Sequence, residues 1–229
     1  MKTPKNMSLT LRVLARLLSY PDDALRGHLA ELRQALRHEA ALQSVRLAEV
    51  EGLIDSLGAQ SAIDTEADYV QLFDTGRRTS LHLFEHVHGD SRDRGPAMID
   101  LAQTFEAAGL YLAEGEMPDH LPVVLEYAST QPPREAQAFL AEMAHIFNVI
   151  FSALDQRRSR YASVLGALIE LAGETCAAVN VPDEAPIDES WAEPAAFDGC
   201  SSAGQSRPGQ PQPIQIQRKA AGTAAGARP

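Results

Sequence analysis

An all-α fold is what this chain of 229 residues predicts: one helical bundle over residues 1–180, followed by a Pro-rich, largely disordered tail over 181–229. Three observations lead there. The composition is 45% hydrophobic but only 6% aromatic, with abundant Ala, Leu, Glu and Arg, so good helix formers dominate and strand formers are scarce. Apolar residues recur at helical intervals along almost the whole of residues 9–179. Beyond Val181 the texture changes: Pro182, Pro186, Pro194, Pro208, Pro211, Pro213 and Pro229 make up half of the chain's 14 prolines, and few aliphatic residues remain to bury. A chain of this length lies within reach of a single hydrophobic core, so one domain with an appendage is expected.

In Leu9 to Tyr20, Val13, Leu14, Leu17 and Leu18 make one apolar helical face, and Pro21 ends the helix. Asp22 or Asp23 caps the next, in which Leu25, Leu29, Leu32 and Leu36 face inward while Arg26, Glu31, Arg33 and Arg37 face solvent. A third helix carries Val50, Leu53, Ile54 and Leu57. Thr65 followed by Asp68 reads as a capping box for a helix through Tyr69, Leu72 and Phe73, stopping near Gly76. Pro96 suits the first residue of a helix with Ile99, Leu101, Phe105 and Leu112 on its buried side, weakened or kinked at Gly109. Asp119 is placed to cap a helix through Val124, Leu125 and Ala128, with Pro122 tolerated in its first turn. After Pro132-Pro133, Phe139, Leu140, Met143, Phe147, Ile150, Phe151 and Leu154 form the longest apolar stripe and predict a central buried helix. Tyr161, Val164, Leu165, Leu168, Leu171, Ala172 and Cys176 mark the last helix, which fades by Asn180.

One stretch is chemically denser than the rest. Ser80 to Gly95 holds three of the chain's 7 histidines together with Glu85, Asp90, Asp93, Arg92 and Arg94, beside Leu81, Leu83, Phe84 and Val87. As a helix it starts at Ser80, whose hydroxyl accepts an amide, and stops at Gly89, which can take the left-handed closing conformation. Within it, His82-Leu83-Phe84-Glu85-His86 fits the H-x-x-E-H pattern of zinc hydrolases, two histidines holding the metal and the glutamate activating water. A third ligand would have to come from a residue such as Glu114, Glu116 or His120, and the spacing selects none of them. The plain alternative makes these histidines polar helix positions that hydrogen-bond at the edge of the core.

The net charge of −11 and pI near 5.0 argue against a phosphate-binding nucleic-acid surface and against adsorption to anionic membranes, and suit a neutral or basic partner. Cys176 and Cys200 are too few and too far apart for a disulfide framework or a cysteine metal site. No apolar run approaches the roughly 18 residues of a membrane span, and the arginine-broken N-terminal segment lacks the features of a secretion signal, so a cytoplasmic protein is expected.

Three blocks appear in order: Tyr69-Val70-Gln71-Leu72-Phe73-Asp74, then Ser80 through Gly95, then Met117-Pro118-Asp119-His120-Leu121-Pro122-Val123-Val124-Leu125-Glu126-Tyr127. In them the chain resembles the NarJ/TorD/DmsD family of redox-enzyme maturation chaperones, closely from Tyr69 to about Ser129 and in helix pattern from Leu9 to about Val179. The resemblance implies a TorD-like helical bundle and a cytoplasmic chaperone without a cofactor or catalytic residues of its own. Its implied partner is the N-terminal segment of the apo catalytic subunit of membrane-bound respiratory nitrate reductase. The chaperone holds that segment for molybdenum cofactor and iron–sulfur cluster insertion before membrane assembly, and contact with cofactor-delivery proteins is left open. At the matching positions it implies a peptide groove of Tyr69, Leu72, Phe73, Leu83, Phe84 and His86. Charge there comes from Glu85, Asp90, Asp119 and Glu126, and His88, Arg92 and His120 orient the lining. The acidic tail segment, with Trp191 and Phe197 as anchors, is expected to be able to fold back over that groove.

Overall fold

The computed structural model describes residues 5–89, 91–177 and 179. In chain order they form α1 (Ser8–Leu17), α2 (Asp23–Gly27), α3 (Leu29–Glu39), α4 (Ser44–Ala59), α5 (Ala62–Phe73), a 3-10 turn (Arg77–Thr79) and α6 (Leu83–Val87). α7 (Arg94–Ala107), α8 (Leu121–Thr130), α9 (Pro133–Glu142), α10 (Ala144–Gln156) and α11 (Ala162–Leu171) follow. Among the described residues no strand forms, and extended backbone pairs at one antiparallel bridge, His82 with His120. The all-α expectation is met. The expected tail, with Trp191 and Phe197, lies outside the described residues.

The core is built around α11, in which every residue from Ala162 to Ile169 is buried. α10, α4 and α9 pack on it, while α1 packs on α8 and α3. Fully buried leucines such as Leu14, Leu125 and Leu165 tie these layers together, each contributing about 1.5–3 kcal/mol of transfer free energy. Among the described residues no single helix is long and apolar enough to cross a membrane; α9 and α10 reach that length only together, and they bend by 64° between them.

Several local expectations hold. Asp22 caps α2 by accepting the Leu25 amide, Pro122 sits in the first turn of α8, and Gly89 takes φ +53° just past α6. Others shift. The Leu25–Leu36 stripe is two helices, because the chain turns at Gly27–His28 while Arg26 is held by the carbonyls of Leu57 and Gln60 at the end of α4. The N-cap of α5 is Ser61, whose hydroxyl accepts the Asp64 amide; Thr65 lies inside the helix and its hydroxyl donates to the Ser61 carbonyl. Gly109, at φ +80°, ends the region after α7 instead of kinking a helix, so Leu112 falls in a loop. The long stripe of Phe139–Leu154 breaks at Met143 into α9 and α10, letting one face follow α8 and the other α11. Asn148 reads as unremarkable in the sequence, yet it is buried and its side-chain oxygen accepts the Ala177 amide at 2.7 Å, with Ser152 receiving Val179 at 3.0 Å one turn on. α11 ends at Leu171, leaving Cys176 exposed beyond it.

Candidate functional site

The dense stretch forms a latch with the Pro118–Pro122 block. His82 is extended (φ −85°, ψ 104°), so α6 is only the five residues that follow it. The Leu121 amide donates to the Leu81 carbonyl at 2.8 Å, and the Leu83 amide to the Asp119 carbonyl at 3.0 Å. Asp119 is fully buried. Its carboxylate accepts the Phe84 amide at 3.2 Å, faces His82 Nδ1 at 3.3 Å and lies 3.8 Å from the Arg94 guanidinium, which also reaches Glu85 at 3.4 Å. The expectation that Asp119 caps α8 is therefore corrected. It caps α6 instead, because the bridge brings the first-turn amides of α6 to it, while α8 begins at Leu121 and its N-cap, His120, makes no side-chain cap. The His82 and His120 rings stack with centroids 5.1 Å apart.

His82 is shifted in one sense, His86 and His120 in the other. The hydrogen bond to Asp119 raises the pKa of His82, outweighing its partial burial. Burial lowers His86, and burial with the neighbouring His82 charge lowers His120. His82 therefore adds stability that is fully present below its unfolded value near 6.5 and is lost as pH rises through its higher folded value. His86 and His120 do the reverse: they favour the fold above about 6.5 and cost stability as pH falls through their depressed folded values. In urea unfolding at pH 5.5 and 8, His82→Gln is expected to destabilise the fold more at the lower pH; an equal loss at both would remove the Asp119 pairing as its cause.

The residues expected to line a groove separate into three settings. Tyr69, Phe73 and Leu83 are buried, and Tyr69 donates its hydroxyl to the Leu18 carbonyl at 2.7 Å while its ring packs on Phe73 and Tyr161. Phe84, Glu85, His86, His88, Asp119 and His120 gather at the latch, where Phe84 meets His88 edge to face and His86 Nε2 contacts the Ser80 carbonyl at 2.9 Å. Arg92 and Glu126 are exposed, Leu72 is half-buried, and Asp90 lies outside the described residues. The zinc-hydrolase alternative does not find its geometry. His82 stands before the helix and faces Asp119, His86 faces a carbonyl, and among the described residues no three His, Cys, Asp or Glu side chains are grouped to hold a metal ion.

An apolar groove of about 390 Å³ runs beside the latch, between the end of α7, the following loop and α8. Phe105, Leu110, Leu112, Val123 and Tyr127 line it, Tyr111 stands 81% exposed at its lip, and Glu116, Glu126 and Arg12 edge it. α8 starts at the latch and carries Val123, Glu126 and Tyr127 into the groove, so the backbone bonds of the bridge set the position of one wall. Of the expected site residues that are described, only Glu126 is here. Sequence reasoning missed Tyr111, because the expected helix ran on through Leu112, whereas α7 ends at Ala107 and the turn at Gly109 puts Tyr111 in a loop.

The family model described as nitrate reductase delta subunit matches residues 19–165. The nitrate reductase molybdenum cofactor assembly chaperone NarJ of Escherichia coli (strain K12) is 40% identical over 194 residues, 83% of this chain and 82% of that one. A Bacillus subtilis (strain 168) protein, named a probable chaperone of the same kind, is 30% identical over 164 residues, 70% of this chain and 86% of its own. The crystal structure of a protein titled as a redox enzyme maturation protein from Archaeoglobus fulgidus shares the fold, with a TM-score of 0.53 at 19% identity, over 76% of this chain and 98% of that one.

Proposed function

The chain belongs to the nitrate reductase delta subunit family, and from that premise we propose that it is the assembly chaperone of a respiratory nitrate reductase. It binds the N-terminal segment of the apo catalytic subunit in the cytoplasm and holds it until the molybdenum cofactor and iron–sulfur cluster are in place. Its relatives are assembly chaperones and not enzymes, and the task requires no covalent chemistry. The observation that carries this reading is the 40% identity to the Escherichia coli chaperone across 83% of the chain.

The apolar groove is the surface that suits such a client. An amphipathic helix can seat side chains spaced at i, i+3 and i+4 on Leu110, Leu112, Val123 and Tyr127, and Phe84, His88 and His120 stand at the latch end of α8. Glu116 and Glu126 on the rim, in a chain of net charge −11, favour a client with basic flanking residues and repel acidic segments. Isothermal titration with a peptide copying the N-terminus of the catalytic subunit is expected to show saturable binding, absent with a scrambled peptide. Glu126→Lys is expected to weaken it by about tenfold at low salt, and less at high salt. Failure of the true sequence to bind would sink the proposal.

A further inference from the structure

The apolar groove carries its charges unevenly. Its α8 wall is the stripe of Val123, Tyr127 and Thr130, spaced i, i+4 and i+7, so the groove follows that helix from the latch to the last turn. Glu116 stands before the start of α8, its carboxylate turned back to the Ala113 amide at 3.3 Å, and Glu126 follows in the second turn. Arg12 is the one cation among the described residues that line the groove, and it comes from α1 to the opposite end: its Nε donates to Ser129 Oγ in the last turn of α8 at 3.2 Å. Ser129 is 4% exposed and held on both sides, its hydroxyl donating to the Glu126 carbonyl at 2.7 Å and its carbonyl accepting the Ser8 hydroxyl at 2.6 Å. The guanidinium is thus anchored through Nε, and both Nη groups are left as a planar fork of donors on an exposed side chain. Among the described residues Arg12 makes no ion pair.

We propose that Arg12 sets the direction in which a client helix lies in the groove: the C-terminal end of the helix sits against Arg12, and its N-terminal end sits beside the latch, at Glu116. This orientation rests on the client reading above and adds to it. An apolar stripe by itself accepts a helix either way round, because anchors at i, i+3, i+4 and i+7 read nearly alike in both directions. The two ends of a helix differ. The last turn presents carbonyls without intrahelical partners and a partial negative charge, which a guanidinium fork meets with donors and a positive charge. The first turn presents a partial positive charge, and a segment from a chain N-terminus adds an α-amino group; both are attracted to Glu116 and repelled by Arg12. The dipole of α8 opposes this parallel arrangement, but it amounts to about half an elementary charge at each end, against full charges on Arg12, Glu116 and Glu126. A client with an acidic side chain after its apolar anchors gains a bidentate partner in Arg12 as well.

The test uses the isotope-labelled full chain and a peptide copying the N-terminus of the catalytic subunit of a respiratory nitrate reductase, carrying a nitroxide at either its first or its last residue. In nuclear magnetic resonance spectra the last-residue label is expected to broaden the amides of Ser129, Thr130 and Gln131, and the first-residue label those of Glu116 and Met117. Isothermal titration of Arg12→Gln with the unlabelled peptide is expected to show affinity lowered by about tenfold at low salt, with the melting temperature of the free protein unchanged. Arg12→Glu is expected to lose about tenfold more, because it repels the end that Arg12 attracts. The reverse broadening pattern, or wild-type affinity in Arg12→Gln, would overturn the orientation and leave the client reading standing. So would a lower melting temperature of free Arg12→Gln accompanying its loss of affinity, since Arg12 would then support α8 through Ser129 and not read the client. A wild-type chain that binds no peptide would overturn both.

Discussion

Asp119→Ala is expected to lower stability by about 3 kcal/mol, an effect set by breaking a buried charged cluster and stranding its partners. The carboxylate is wholly buried and serves three groups at once: the Phe84 amide, His82 and Arg94. In the variant the Phe84 amide loses its acceptor at the first turn of α6, and among the described residues Arg94 keeps only Glu85. His82, which is partly exposed, recovers water, so its share of the loss is small. The two backbone bonds of the bridge remain, and α6 loosens without the whole fold coming apart. For a domain of this size the melting temperature is expected to fall by roughly 6–12 °C, read by circular dichroism and checked by urea unfolding. Client affinity, measured below that transition, is expected to change little. The opposite pattern, wild-type stability with affinity lost, would make Asp119 a contact to the client and not a holder of helices.

Phe105→Ala is expected to cost about 3 kcal/mol, but to concentrate the damage in α7. Phe105 is 2% exposed and is the one residue of α7 that is buried. Its ring lies 4.7 Å from Tyr127, which continues to Phe139 at 5.0 Å, so this aromatic contact ties the C-terminal half of α7 to α8 and α9, beside half-buried Leu101 and the Arg94 ion pairs at the helix start. Ile99, on the same helix, is 59% exposed and offers no second anchor. Without the ring, residues 94–107 are expected to lose amide protection in hydrogen exchange while α10 and α11 keep theirs, because a weakly docked element opens below the global free energy. Client affinity falls with it, since Phe105 is part of the groove wall. Loss of protection spread evenly over all helices would contradict local opening.

Much of this protein could be read from local rules. Composition and apolar period predict the all-α bundle, and the caps at Asp22 and the left-handed Gly89 follow from side-chain chemistry and backbone freedom within one turn. The three blocks from Tyr69 to Tyr127 carry the family resemblance, and all of them fall within the matched region 19–165. The site was less legible. Tyr69, Phe73 and Leu83 belong to the same blocks as Phe84 and His120, yet they are core: Tyr69 and Phe73 share the inward face of α5 against Tyr161, and Leu83 is buried where its neighbour Phe84 is half-exposed.

By itself the sequence determined the all-helical class, the caps at Asp22 and Gly89 and the family, since each depends on interactions within a few residues or on the order of motifs. Tertiary structure alone decided what Asp119 caps and where the longest apolar stripe breaks. A carboxylate can serve whichever amide is nearest, and the bridge makes that amide Phe84. No glycine or proline marks Met143, so the 64° bend follows from α9 and α10 meeting different neighbours. The groove is likewise a product of assembly: Phe105, Tyr111 and Tyr127 come from two helices and a loop, and only packing α8 against the latch brings them to one surface.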